Sequence, residues 1–137
     1  MTLSGNYVLD SFALLAFLAD EPGAGQVRDL LEFGEHHADR LWMSVINMGE
    51  CLYTVERERG LAAAHRAIAV FAQLPVGEVA ATRERTFAAA HLKAHYRLSF
   101  ADAFAVALAQ EKSATVVTGD PEFRQVAALV PVLWLPR

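Results

Sequence analysis

Asp10 interrupts the apolar stretch "YVLDSFALLAF", and three further acids share its setting. Glu50 follows Ile46 and Met48 and precedes Cys51 and Leu52, Asp102 lies within "SFADAF", and Asp120 closes "ATVVTGD". An ionised carboxylate taken out of water without a partner costs several kcal/mol or more. Each acid alone has a structural explanation. Ser99 to Asp102 is an S-x-x-D capping box, and Asp120 before Pro121 suits a helix N-cap. Asp10 near a helix start gains from the dipole, and Glu50 on a solvent face needs no partner. If the four carboxylates converge, they repel one another and raise one another's pKa, and a divalent cation relieves that repulsion. Oxygen donors with no histidine or thiolate among them favour Mg²⁺, with Mn²⁺ the alternative, over Zn²⁺.

Convergence requires elements that deliver these acids to one place. Tyr7-Val8-Leu9 reads as a buried strand, after which Ser11 is expected to cap a helix from Phe12 to about Ala19. "EPGAG" breaks the pattern, and Gln26 to Glu35 forms a second helix with Val27, Leu30 and Leu31 on one stripe. "RLWMS" is a strand whose Ser44 caps a helix from Val45 to Arg59, closed by Gly60. Leu61 to Leu74 is an alanine-rich helix stopped by Pro75, and Val76 to Ala80 is a weak strand. Thr82 opens a helix through Tyr96, and Ser99 caps the next, Phe100 to Glu111. "ATVVTGD" is a buried strand, Pro121 begins a brief helix, and "PVLWL" is the last strand. Strands alternating with helices predict an α/β fold with a parallel sheet covered on both faces. Strand ends and early helix turns then share one edge of the sheet, where ligands bind in such folds.

Composition agrees with one domain over residues 1–137, since 54% of the chain is apolar and no stretch reads as a linker or repeat. A net charge of −4 argues against a general nucleic-acid binder, yet leaves room for an enzyme reaching phosphates through a cation. The apolar run Phe12 to Ala19 is too short for a membrane span and lacks a basic leader. With a single cysteine, Cys51, these features place the expected protein in the cytoplasm.

Three blocks carry a family resemblance. "YVLDSFALLAFLADEPG", "SVINMGECLYTV" and "LSFADAFAVALAQEKSATVVTGDPEFRQVA" together resemble the PIN domain, most closely the VapC toxins of VapBC toxin–antitoxin systems. Asp10, Glu50, Asp102 and Asp120 take the family's four acidic positions, Ser11 stands in the Ser/Thr position beside the first, and Asn47 lies one turn before Glu50. Met48-Gly49 before the glutamate and Phe12 after Ser11 depart from the usual pattern without touching the acids. The resemblance implies a three-layer α/β/α sandwich with strand order 3-2-1-4-5. It also implies a Mg²⁺-dependent endoribonuclease, a VapB-like antitoxin partner and a homodimer. The expected substrate is single-stranded or looped RNA, of tRNA or rRNA type.

In that reading Asp10 and Asp102 hold the ion, Asp120 assists directly or through water, and Glu50 orients or deprotonates the attacking water or helps hold a second metal. Thr118, Ser11 and Asn47 are expected in supporting roles, Asn47 by orienting Glu50 from the same helical face. Arg57, Arg59, Arg83, Arg85, Arg97 and Arg124 are candidate RNA contacts, although "ERER" and "RER" also read as solvated helix faces. His91 and His95 have zinc-ligand spacing but no third ligand nearby, and Cys51 reads as a small hydrophobe. The helices Val45–Arg59 and Leu61–Leu74 either frame an antitoxin groove or simply pack. A haloacid-dehalogenase-like phosphatase would need D-x-D after the first strand, where Ser11-Phe12 follows Asp10. A receiver domain would need an early acidic pair, and a catalytically idle binding module would not need four intact acids.

Overall fold

The computed structural model describes residues 2–137. Five short strands form one parallel sheet: β1 (Tyr7–Leu9), β2 (Leu41–Ser44), β3 (Gly77–Val79), β4 (Thr115–Thr118) and β5 (Val132–Trp134). Their order is β3-β2-β1-β4-β5, with β1 central, pairing Val8 with Trp42 on one side and with Val116 on the other. This is the expected 3-2-1-4-5 order. Helices α1 (Ser11–Leu18), α2 (Ala24–His36), α3 (Val45–Arg59), α4 (Leu61–Phe71), α5 (Arg83–His95) and α6 (Phe100–Lys112) connect the strands, and a 3-10 helix spans Pro121–Val126.

Strand periodicity explains two separate cores. Side chains alternate across a strand, so Val8 and Val116 join one cluster with Leu92, Phe104 and Val106, beneath α5 and α6. Tyr7, Leu9 and Val117 join the other with Leu14, Val27 and Leu30, beneath α1 and α2. Both faces are covered, so the strands read as continuous apolar runs. Helix α6 is buried from Asp102 through Ala109, with alanines at 103, 105, 107 and 109 allowing close approach on all sides. Only a helix enclosed by neighbours carries such a pattern.

Caps set several boundaries. The Ser44 hydroxyl accepts the Ile46 amide, the Thr82 hydroxyl the Arg85 amide and the Ser99 hydroxyl the Asp102 amide, at 3.2, 3.2 and 3.1 Å. Gly60, at φ +90°, closes α3 and opens α4, a backbone conformation that disfavours any residue with a Cβ. Helix α4 stops at Phe71, short of the expected Leu74, because residues 72–74 turn toward Pro75. Among the described residues no helix is long and apolar enough to cross a membrane.

Candidate active site

Asp10 leaves the end of β1 and caps α1: its Oδ1 accepts the Ala13 amide at 2.9 Å. The cap expected from Ser11 is therefore made by Asp10 instead. The reason is geometric, since the residue directly after the strand has the extended backbone (φ −93°, ψ −179°) that an N-cap requires, while Ser11 is already helical. Asp10 is only 1% exposed. Burial pushes its carboxyl up to about 8, and the nearby charges of Asp102 and Asp120 add to the rise, against the opposing hydrogen bonds of Thr118 and Ala13.

Relieved of capping, Ser11 turns its hydroxyl across to α3 and donates to Glu50 Oε1. The second oxygen of Glu50 accepts from the Tyr53 hydroxyl at 3.3 Å, and the Glu50 charge raises the proton affinity of that tyrosine. Cys51 is fully buried, its thiol directed at the Ser11 carbonyl, and burial holds that thiol well above its ordinary range. It acts as packing, as expected. Asn47 does not orient Glu50. Its Nδ2 donates to the Ala101 carbonyl at 3.0 Å, tying α3 to the first turn of α6, while its Oδ1 is buried without a partner among the described residues. Spacing along α3 could not reveal this bond, whose acceptor lies 54 residues away.

Asp102 occupies the first turn of α6 and is 8% exposed. Burial pushes its carboxyl up to about 7, and the charge of Asp120 adds to the rise. Asp120 follows β4 and caps the 3-10 helix, its Oδ1 accepting the Glu122 amide at 2.9 Å. Thr118 is fully buried; its Oγ1 accepts the Asp120 amide at 3.0 Å, and its hydroxyl also steadies the charged form of Asp10. It links two of the acids.

One acid was missed in the sequence. Carboxylate oxygens of Asp102, Asp120 and Glu122 lie within 4.8 Å of one another. Glu122 stands two residues after Asp120, in the helical turn that Pro121 announces, and this spacing was the available signal. Asp10, Ser11, Phe12, Glu50, Ser99, Asp102, Asp120 and Glu122 line a single cleft of about 330 Å³ at the carboxyl edge of the sheet. Among the described residues the ion pairs, Arg28–Asp20, Arg85–Glu111 and Lys112–Glu111, all lie outside it. His91 and His95 sit together, ring centroids 4.9 Å apart, yet belong to no three-ligand grouping among the described residues.

An all-oxygen donor set, two of its members buried and none paired with a cation, fits a hard dication. The PIN domain family profile matches residues 7–129, a span containing all five acids. The chain belongs to the PIN domain family. Solved structures share this PIN fold at low sequence identity. VapC20 of Mycobacterium tuberculosis, a sarcin-ricin-loop-cleaving toxin, matches at 20% identity and TM-score 0.71, over 88% of this chain and 95% of that one. DNA-bound VapBC from Salmonella typhimurium matches at 14% identity and TM-score 0.74, over 95% and 98%. VapBC2 of Rickettsia felis, bound to a promoter fragment, matches at 16% identity and TM-score 0.73, over 94% and 98%. No curated protein matches this PIN domain in sequence.

Proposed function

We propose that this PIN domain, acting as one unit over residues 1–137, is a Mg²⁺-dependent endoribonuclease and the toxin of a VapBC-type pair. The observation that carries the reading is uncompensated burial. Asp10 and Asp102 are 1% and 8% exposed, burial and neighbouring acids push their carboxyls up to about 8 and about 7, and both share a cleft with Glu50, Asp120 and Glu122. Structural carboxylates are normally paired or solvated.

Asp10, Asp102 and Asp120 would hold Mg²⁺, or Mn²⁺ in its place; Glu122 groups with Asp102 and Asp120, while Asp10 lines the same cleft outside that grouping. When bound, the ion supplies positive charge at a scissile phosphate and acidifies a water for in-line attack. Glu50, aimed by Ser11, would serve as the base that accepts the proton of the attacking water. Thr118 keeps Asp10 and Asp120 in register. A single strand or loop, of tRNA or rRNA type, is the substrate of this reading, since bases splayed out of a helix leave their phosphates free to enter such a cleft.

A VapB-like antitoxin is the proposed partner, supported by the VapBC assemblies among the structural neighbours. An apolar groove between α3 and α4, lined by Val45, Met48, Leu52, Ile68 and Phe71, supplies a surface for it. A homodimer acting on cellular RNA in the cytoplasm completes the proposal. The test is sequencing of RNA 5′ ends after expression of the wild type and of Asp102→Asn. New ends at defined positions with the wild type alone are expected; ends that persist in the variant overturn the assignment.

A further inference from the structure

Glu50, Tyr53 and Arg57 are spaced three and four residues apart on α3, so they form one stripe on the helix surface. Contacts run along it without a break. Ser11 donates to Glu50 Oε1, the Tyr53 hydroxyl donates to Glu50 Oε2 at 3.3 Å, and the Arg57 guanidinium lies 4.8 Å over the Tyr53 ring centroid. The stripe starts in the acidic cleft, which Glu50 lines, and ends in solvent, since Tyr53 is 49% exposed and Arg57 is exposed.

We infer that Tyr53 is a positioning residue for Glu50 and that Arg57, seated on its ring, takes the RNA phosphate that leaves the cleft along α3. This rests on the ribonuclease reading above. A glutamate rotates about three bonds, so one donor leaves its carboxylate free to swing. Donors on both oxygens fix its plane and leave the remaining lone pairs for a water. An exposed tyrosine has no need to end on a carboxylate. Arg57 differs from Arg85, whose guanidinium is held by both oxygens of Glu111 and is closed to phosphate. Among the described residues Arg57 makes no ion pair, and the aromatic face orients it without neutralising it. In a chain of net charge −4, such a cation beside the cleft offers local attraction for a polyanion.

The test uses a labelled RNA of about 30 nucleotides spanning the main cut found in total RNA, a length well beyond one site size. Tyr53→Phe keeps the ring and removes the hydroxyl; kcat should fall about tenfold with KM within about twofold. Arg57→Ala should raise KM about fivefold and leave kcat unchanged, since it acts on binding alone. A second readout needs neither metal nor turnover. With Asp102→Asn protein in EDTA, fluorescence anisotropy should show that adding Arg57→Ala weakens binding and flattens the salt slope by about 0.7, one single-strand phosphate contact. Adding Tyr53→Phe should leave that slope unchanged. Wild-type kcat in Tyr53→Phe, or an unaltered salt slope in Arg57→Ala, overturns the inference and leaves the ribonuclease reading standing. A wild type no faster than Asp102→Asn overturns both.

Discussion

The Asp10 carboxylate accepts the Ala13 amide at 2.9 Å and also sits, buried, among other acids, so substitutions there separate two effects. Asparagine caps a helix as well as aspartate does, whereas alanine loses about 1 kcal/mol or more at such a position. Asp10→Asn should therefore keep the helix start intact and melt at or above the wild type in EDTA at pH 8, having lost a buried charge. Asp10→Ala should melt lower. If Asp10 is a metal ligand of the proposed ribonuclease, both should lose RNA cleavage by about a hundredfold, since neither an amide nor a methyl replaces such a ligand. Thermal melts and cleavage rates side by side check this, and an Asp10→Asn protein that cleaves normally contradicts the ligand role. Ser11 carries the complementary lesson: it lost the cap to its neighbour and gained Glu50.

Among the elements, strand ends and early helical turns deliver the acids, and the joints between them are tight where backbone approaches backbone. A Cβ on Gly119, between β4 and the 3-10 helix, would run into the Phe12 ring and come within 3.0 Å of the Leu135 carbonyl. That carbonyl belongs to fixed backbone, and Phe12 also lines the cleft. Gly119→Ala should cost about 1–3 kcal/mol, read as a lower urea midpoint at unchanged m-value, and should slow cleavage. Gly49 is the control. It is exposed within α3, beside Glu50, and a Cβ there meets nothing within 4 Å. Gly49→Ala should stabilise the fold by up to about 1 kcal/mol through helix propensity, with cleavage unchanged. If both variants behaved alike, close approach would not be what Gly119 provides. Asn47 plays its part at this scale too, since its bond to Ala101 sets α3 against α6 and thereby Glu50 against Asp102.

Over the whole molecule, charge links stability to pH and to metal. The carboxyls of Asp10 and Asp102 are raised from 3.8 to about 8 and about 7 in the folded chain. Between those limits the folded state binds more protons than the unfolded state, so stability falls with rising pH. The contribution is full below about pH 4, is lost progressively from there until pH passes 7 and 8, and changes no further above that. In the proposed site Mg²⁺ would compete with those same protons, so its binding would tighten as pH rises. In thermal-shift measurements, millimolar Mg²⁺ should raise the melting temperature more at pH 8 than at pH 5.5. Asp102→Asn should blunt both the pH slope and the metal response. A melting temperature indifferent to Mg²⁺ at both pH values would contradict a shared metal cleft.

The signals legible in the chain were those carried by near neighbours. Ser44, Thr82, Ser99 and Gly60 marked helix ends because a cap acts over two or three residues, and α3 runs from Val45 to Arg59 as its pattern predicts. Alternating strands and helices required a parallel sheet and hence one edge for the acids, while the strand order came from family resemblance, since alternation alone does not specify it. Tertiary structure decided the rest: that Asp10 and not Ser11 caps α1, that Ser11 meets Glu50 from 39 residues away, that Asn47 serves Ala101, and that Glu122 joins Asp102 and Asp120. Local propensity depends on backbone geometry within a turn. Which oxygen faces which is settled only when distant segments pack and burial removes water as the competing partner.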